Sequence, residues 1–370
     1  MNFGKQIVLV LARHIIAAAC CCLWTVAPLR GEELKSTVVA GKLATPWGVA
    51  VQLSTNTVHV AESGRGRIVR VVDGELQEVV VGIPISPDPQ SPTRQLSAMA
   101  LSFITPSDLL VGLASERPNV AGIYVVAVPS GDEPAVAWER AIKLTPDVRI
   151  TEGAKFWLGV PSIMASLESG ILGLTTQWPE QNSTLLSIAI TQPERLNHAR
   201  SYRRPTRHSL PNFENVTELQ PVALTSGERG ERVVGYARSS GTPAAPTGAL
   251  RFLRGTDGDV LLELTLDVPQ LTALQLVPGG AANFGGATLL ALDFGTPEQT
   301  GGIYRIDAAL EKGRLVAHTV RLGECARPVA FTVGSQEEAA LYVSSWGPAD
   351  AAAGDATGQL LRFSLAPTSK

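Results

Sequence analysis

A chain of 370 residues with 45% hydrophobic and 18% charged side chains can bury a sizeable core, which excludes an intrinsically disordered protein. Its 35 Gly and 25 Pro break helical periodicity every ten residues or so, which excludes a helical bundle and favours a turn-dense β fold. A formal charge of −3 speaks against a nucleic-acid binder.

In chain order, residues 1–31 read as a signal peptide or an N-terminal anchor. Lys5 and Arg13 supply positive charge, and Ile15–Ala27 is an apolar run shorter than the roughly 20 residues of a membrane-spanning helix. Cleavage after Ala27 or after Gly31, lipidation of Cys20 and an uncleaved anchor are the alternatives. The chain is therefore expected in the periplasm, outside the cell or in the secretory pathway, touching a membrane only through residues 1–31. Loss of that segment removes Lys5, Arg13 and Arg30 and moves the charge from −3 to −6. It also removes Cys20, Cys21 and Cys22. Cys325 is then the one cysteine left, with no internal disulfide, and it reads as a small buried hydrophobe.

Beyond this segment one unit recurs six times. "TPWGVAV", "TVHVAESG" and "GRIVRV" are its first three strands, and they start near residue 46. Comparable units start with "SAMALSF", "PSIMASL", "PVALTS", "LTALQLV" and "RPVAFTV", near residues 97, 161, 221, 272 and 328. The spacing of 51 to 64 residues suits a four-stranded propeller blade with variable loops, a period of about 40–50 residues or slightly more. Fourth strands are expected at "ELQEVVVG", "PAVAWERAI", "DVLLELTL" and "GRLVAHTV"; in the third unit the fourth strand is blurred into "HARSYRRPTRH". The last unit lacks a fourth strand, and "KSTVVAGK" (residues 35–42) lacks a unit. Pairing the two would close a ring without a free sheet edge. The expectation is an all-β fold: one six-bladed β-propeller over residues 35–366, four antiparallel strands per blade, and a tail at 367–370.

The series Pro46, Gly48, Val49, Ala50, Val51, then Val60, Ala61, Glu62, Ser63, Gly64, then Arg67, Ile68 resembles the NHL repeat. Pro328, Val329, Ala330, Tyr342, Val343, Ser344 and Gly347 resemble it in part. The chain is thus similar to the broad six-bladed group of NHL domains, SMP-30/gluconolactonase proteins and strictosidine-synthase-like proteins. That resemblance implies calcium-dependent lactone hydrolysis as one activity, with a divalent ion held over the channel by a Glu early in the first blade and by Asn and Asp from later blades. This chain has Ala44 and Thr45 where that Glu would fall.

The acids in loops after second strands are Glu62, Glu116 and Asp293, the candidate calcium ligands, since a hard cation needs several oxygens. Against this, Glu62 reads as the tip of a repeated hairpin, accepting backbone N–H groups or forming an exposed pair with Arg65 or Arg67. Trp178 and Trp346 follow second strands and are candidates for a ligand-binding rim, with core packing as the other reading. Arg195, Arg200, Arg203, Arg204 and Arg207 read either as a solvated insertion or as a patch for an anionic partner. The five histidines form no metal-binding spacing, and G-x-S-x-G is absent. The function expected is that of an exported, monomeric binding scaffold taking a protein or carbohydrate ligand on the propeller face, without nucleic acid and with no cofactor other than Ca2+ as a candidate. The alternative is a calcium-dependent lactone or ester hydrolase.

Overall fold

In a computed structural model, the described residues run from 33 to 365, apart from 53, 89–90, 116, 118, 146–154, 159–169, 177–182, 190–205, 210–218, 227–230, 239–247, 255–258, 278–287, 297–298, 336–337 and 349–355. Strand β1 (Ser36–Leu43) precedes a run of antiparallel meanders. The first comprises β2 (Pro46–Gln52), β3 (Thr57–Glu62), β4 (Arg67–Val72) and β5 (Glu75–Val81). A short ribbon, β6 (Ser86–Asp88) with β7 (Ser91–Leu96), leads to β8 (Ala98–Phe103), β9 (Asp108–Leu113), β10 (Gly122–Ala127), β11 (Val136–Ala137) and β12 (Ile142–Lys143). Then come β13 (Lys155–Leu158), β14 (Gly170–Thr176), β15 (Ser183–Ala189) and β16 (Thr206–Ser209). They are followed by β17 (Leu219–Ser226), β18 (Arg232–Arg238), β19 (Gly248–Leu253) and β20 (Val260–Leu266). The chain continues through β21 (Leu271–Val277), β22 (Thr288–Gly295), β23 (Thr300–Glu311) and β24 (Arg314–Glu324). It ends with β25 (Pro328–Val333), β26 (Ala340–Ser345) and β27 (Gly358–Ser364).

Among the described residues these strands make five four-stranded sheets, one five-stranded sheet and the ribbon. The expected fourth strands explain the odd sheet. "PAVAWERAI" is divided between two sheets: β11 joins β5 in parallel, whereas β12 closes the sheet of β8–β10. Between them Trp138 turns inward and packs on Tyr124, ring centroids 4.7 Å apart. That burial reroutes the strand, so the four-strand expectation is corrected here to five strands. In the third unit the inner strand is Lys155–Leu158 rather than the expected segment from 161, which lies outside the described residues. The blurred fourth strand of that unit resolves to β16, antiparallel to β15. The pairing expected of the N-terminal strand is present: β1 lies antiparallel to β27, with Val38 opposite Leu361.

The sheets of the first, second, fifth and last units are buried on both faces, which is why their central strands read as continuous apolar runs. In β2, Val49 and Val51 pack with Tyr342 and Leu360 of the last sheet, whereas Ala50 packs with Leu101 and Val111 of the second. The inner strands touch their neighbours round an axis: β2 meets β8 and β25, β13 meets β8 and β17, and β21 meets β17 and β25. Gly48 allows the first of these approaches, since a Cβ there would lie 2.8 Å from the Leu101 amide nitrogen. The glycine of the repeat motif is therefore a close-packing residue rather than a turn residue.

Candidate functional site

The inner strands line a channel of about 80 Å³. Gly48, Ala100, Ala223, Ala273 and Ala330 form its ring of small side chains. At one end of this ring five inner strands share a β-bulge, between Pro46 and Val49, Ala98 and Ala100, Pro221 and Ala223, Leu271 and Ala273, and Pro328 and Ala330. Bulges re-aim side chains and concentrate beside functional sites. Here they release Trp47, Met99 and Val329 from the strand alternation, and these three join Leu96 and Ala114 in one buried cluster. Phe294 and Trp346 cover it, with ring centroids 5.2 Å apart; Trp346 also stands edge to face with Trp47 at 5.0 Å. Trp346 Nε1 donates to the Pro46 carbonyl at 2.9 Å, while the buried Trp47 Nε1 has no acceptor among the described residues.

The backbone entering this mouth is strained. Thr45 and Arg327, each just before a proline, adopt the left-handed region at φ 48° and 47°. Such conformations cost about 1–3 kcal/mol and persist where surroundings over-determine them. Glu62 helps hold the first. Its Oε1 accepts from the Ala44 amide at 2.8 Å, its Oε2 accepts from Arg67 Nε at 2.5 Å, and Arg65 Nη1 lies 3.0 Å from Oε1. The reading of Glu62 as a hairpin tip paired with arginine thus agrees with its contacts, but the expected exposed pair has a fully buried carboxylate: Glu62 is 0% exposed, against 19% for the Arg67 side chain and 46% for Arg65. Tertiary burial by the 44–45 turn makes the difference.

Asp293 occupies the same register position in the fifth unit, opposite Leu271 as Glu62 is opposite Pro46. Its Oδ1 accepts from the Gln270 and Gly295 amides at 3.0 and 3.1 Å, and its buried Oδ2 has no partner among the described residues. Burial pushes its pKa above the ordinary carboxylate value, against the two amides and the Arg321 charge. In the second unit the equivalent residue, opposite Ala98, is Leu113, so Glu116 is not equivalent to Glu62 by register; Glu116 itself lies outside the described residues. Ser345 takes the position in the last unit, donating to the Ala326 carbonyl and accepting from Gly347 at 3.0 Å. No three His, Cys, Asp or Glu side chains are grouped for a metal among the described residues. Glu62 and Asp293 spend oxygens on turns and have the last sheet between their own, so the described donors do not fit a calcium site.

Of the other sequence candidates, Trp178, Arg195, Arg200, Arg203 and Arg204 lie outside the described residues, and Arg207 belongs to β16 opposite Leu186. Cys325 is buried, and burial pushes its thiol up to about 12. Trp47, Phe294 and the bulged collar were not anticipated. Their sequence signal was the proline at the head of the bulge in three inner strands, Pro46, Pro221 and Pro328, since proline inside sheets is confined to edges, strand starts and bulges.

Neither a family model nor a curated protein matches the sequence. Solved structures do match. A luciferin-regenerating enzyme aligns with a TM-score of 0.55 at 11% identity, covering 90% of this chain and 95% of its own. A calcium-binding regucalcin from Agrobacterium tumefaciens aligns at 0.52 and 10% identity, over 90% and 93%. The chain is a β-propeller. Its likeness to SMP-30/gluconolactonase/regucalcin-like propellers is one of fold, as the resemblance of its first unit implied. A gluconolactonase from Xanthomonas campestris gives 0.49 at 11% identity, over 92% and 93%.

Proposed function

We propose that this propeller is an exported binding scaffold that captures a protein or carbohydrate ligand at the channel mouth. The observation that supports it most is the collar of five bulges beneath the half-buried rings of Phe294 and Trp346. Half-buried aromatic rings suit ligand stacking, and the small channel below them is walled by apolar side chains. In this reading the five-stranded sheet is the sixth blade, and the β1–β27 pairing closes the ring between the chain ends, as a propeller with protected edges requires. The propeller is monomeric, residues 1–31 direct export and provide the one membrane contact, and the arginines at 195, 200, 203, 204 and 207 form a second, anion-attracting surface.

The alternative, a calcium-dependent lactone or ester hydrolase, draws support from the calcium-binding regucalcin of similar fold. It requires a cation site. Thermal unfolding of residues 32–370 in millimolar calcium and in chelator separates the two. The scaffold reading expects one midpoint in both buffers. A rise in calcium that is lost in Glu62→Ala would sink it and favour the hydrolase, because a ligand that binds the folded state stabilises it by mass action.

A further inference from the structure

Sheet β17–β20 buries two guanidinium groups and treats them unequally. On β18, Val233 and Ala237 pack with Leu271 and Leu274 of the next sheet, and a Cβ on Gly235 would meet both leucines, at 2.6 and 2.5 Å. Strand alternation therefore turns Arg232, Val234 and Tyr236 the other way, toward the sheet whose strands β13 and β14 contact β17. Leu253 and Arg251, opposite Arg232 and Val234, share that face.

Arg251, 2% exposed, has a carboxylate and an aromatic ring for partners. Its Nε donates to Glu263 Oε1 at 2.7 Å, and its guanidinium lies 5.3 Å from the centre of the Tyr236 ring. Arg232, 7% exposed, has neither: among the described residues its buried Nη1 finds no acceptor, and no carboxylate pairs with it. Burial alone lowers its pKa. Arg232 and Arg251 stand on diagonal positions of one sheet face, and Glu263 serves Arg251, so among the described residues Arg232 is a cation without a counter-ion. A buried charge in that state is strongly unfavourable unless something pairs with it.

We propose that Arg232 is the anchor of an oxyanion site, for a phosphate group, at the end of β18 remote from the channel mouth. Ser226 stands opposite Arg232 in the register, whereas Tyr236, opposite Pro221, marks the mouth end. The planar guanidinium suits the paired oxygens of phosphate better than a halide. This site is independent of the mouth and survives if the scaffold reading fails.

The test uses inorganic phosphate, against sodium chloride of equal ionic strength, with the thermal midpoint of the full chain as readout. A saturable rise of about 2–5 °C is expected once phosphate exceeds its dissociation constant about a hundredfold. Arg232→Met is expected to show no rise, and in chloride to melt at or above the wild-type midpoint, because it buries no unpaired charge. An absent rise in the wild type, or an equal rise in Arg232→Met, overturns the proposal; the latter would place the anion elsewhere. Should Arg232→Met not fold, Arg232→Lys carries the test. It must require at least about tenfold more phosphate for the same rise, the loss of one bidentate contact, and an unchanged requirement overturns the proposal.

Discussion

The sheets of the first and fifth units place an acid at the same register position and use it differently. Glu62 reaches across to the 44–45 turn and meets an amide and two guanidinium groups. Asp293, one methylene shorter, reaches two amides and leaves one buried oxygen with no partner among the described residues. Arg67 is held in place by Glu78 as well, 2.6 Å away. In the fifth unit the Arg321 charge does not outweigh burial at Asp293. The repeat therefore conserves a geometric task, tying the loop before the inner strand to the end of the second strand. It does not conserve a charge, and Ser345 performs the same task with a hydroxyl.

Removing the charge should separate the two sites most sharply. Glu62→Gln breaks a buried, multiply bonded ion pair and is expected to cost about 3 kcal/mol in urea unfolding at pH 7. Asp293→Asn keeps an acceptor for both amides and should stay within about 0.5 kcal/mol of the parent. Equal losses would refute the contrast.

The first sheet also carries an acid-labile group that the fifth lacks. His59 is fully buried against Phe103, ring centroids 5.0 Å apart, and its pKa is lowered to about 4 by burial, with a smaller contribution from the Arg70 charge. The folded state holds it neutral, whereas the unfolded chain takes up a proton below about pH 6.5. Its contribution is complete above pH 6.5 and is lost as pH falls toward 4, about 3 kcal/mol over the window. Urea midpoints measured between pH 7 and pH 4 should fall less steeply in His59→Phe than in the parent. Parallel curves would show that this histidine is not the titrating group.

Packing at the ring sharpens the comparison further. Gly48→Ala sets a Cβ against the backbone of Ala100 and Leu101 and is expected to cost about 1–3 kcal/mol. Ala273→Gly, at the matching ring position of the fifth unit, should cost about 1 kcal/mol or less, through chain entropy. A smaller cost for Gly48→Ala would mean that β2 and β8 can separate freely.

Much of the fold was legible because a β-strand between two neighbours has an apolar signature that survives without context. "GVAV" and "ALYV" announce strands buried on both faces, and turn residues punctuate them. The divided fate of "PAVAWERAI" was not legible. Its local pattern suits a strand in either sheet, and the burial of Trp138 against Tyr124 decides which residues pair where. The site was less legible still. Glu62, Glu116 and Asp293 looked equivalent by sequence position after a strand, but a bulge in five of the inner strands shifts the register by a residue, and only the pairing shows Leu113 opposite Ala98.

The β class, the repeating meander and the strand that completes the last sheet are written into the chain, because they follow from alternation, turn chemistry and the need to cover sheet edges. The collar at the mouth, the full burial of Glu62 and the want of a partner for Arg232 among the described residues arise only on folding. Each of these depends on which side chains from distant units are brought within a few ångströms, and no local pattern encodes that distance.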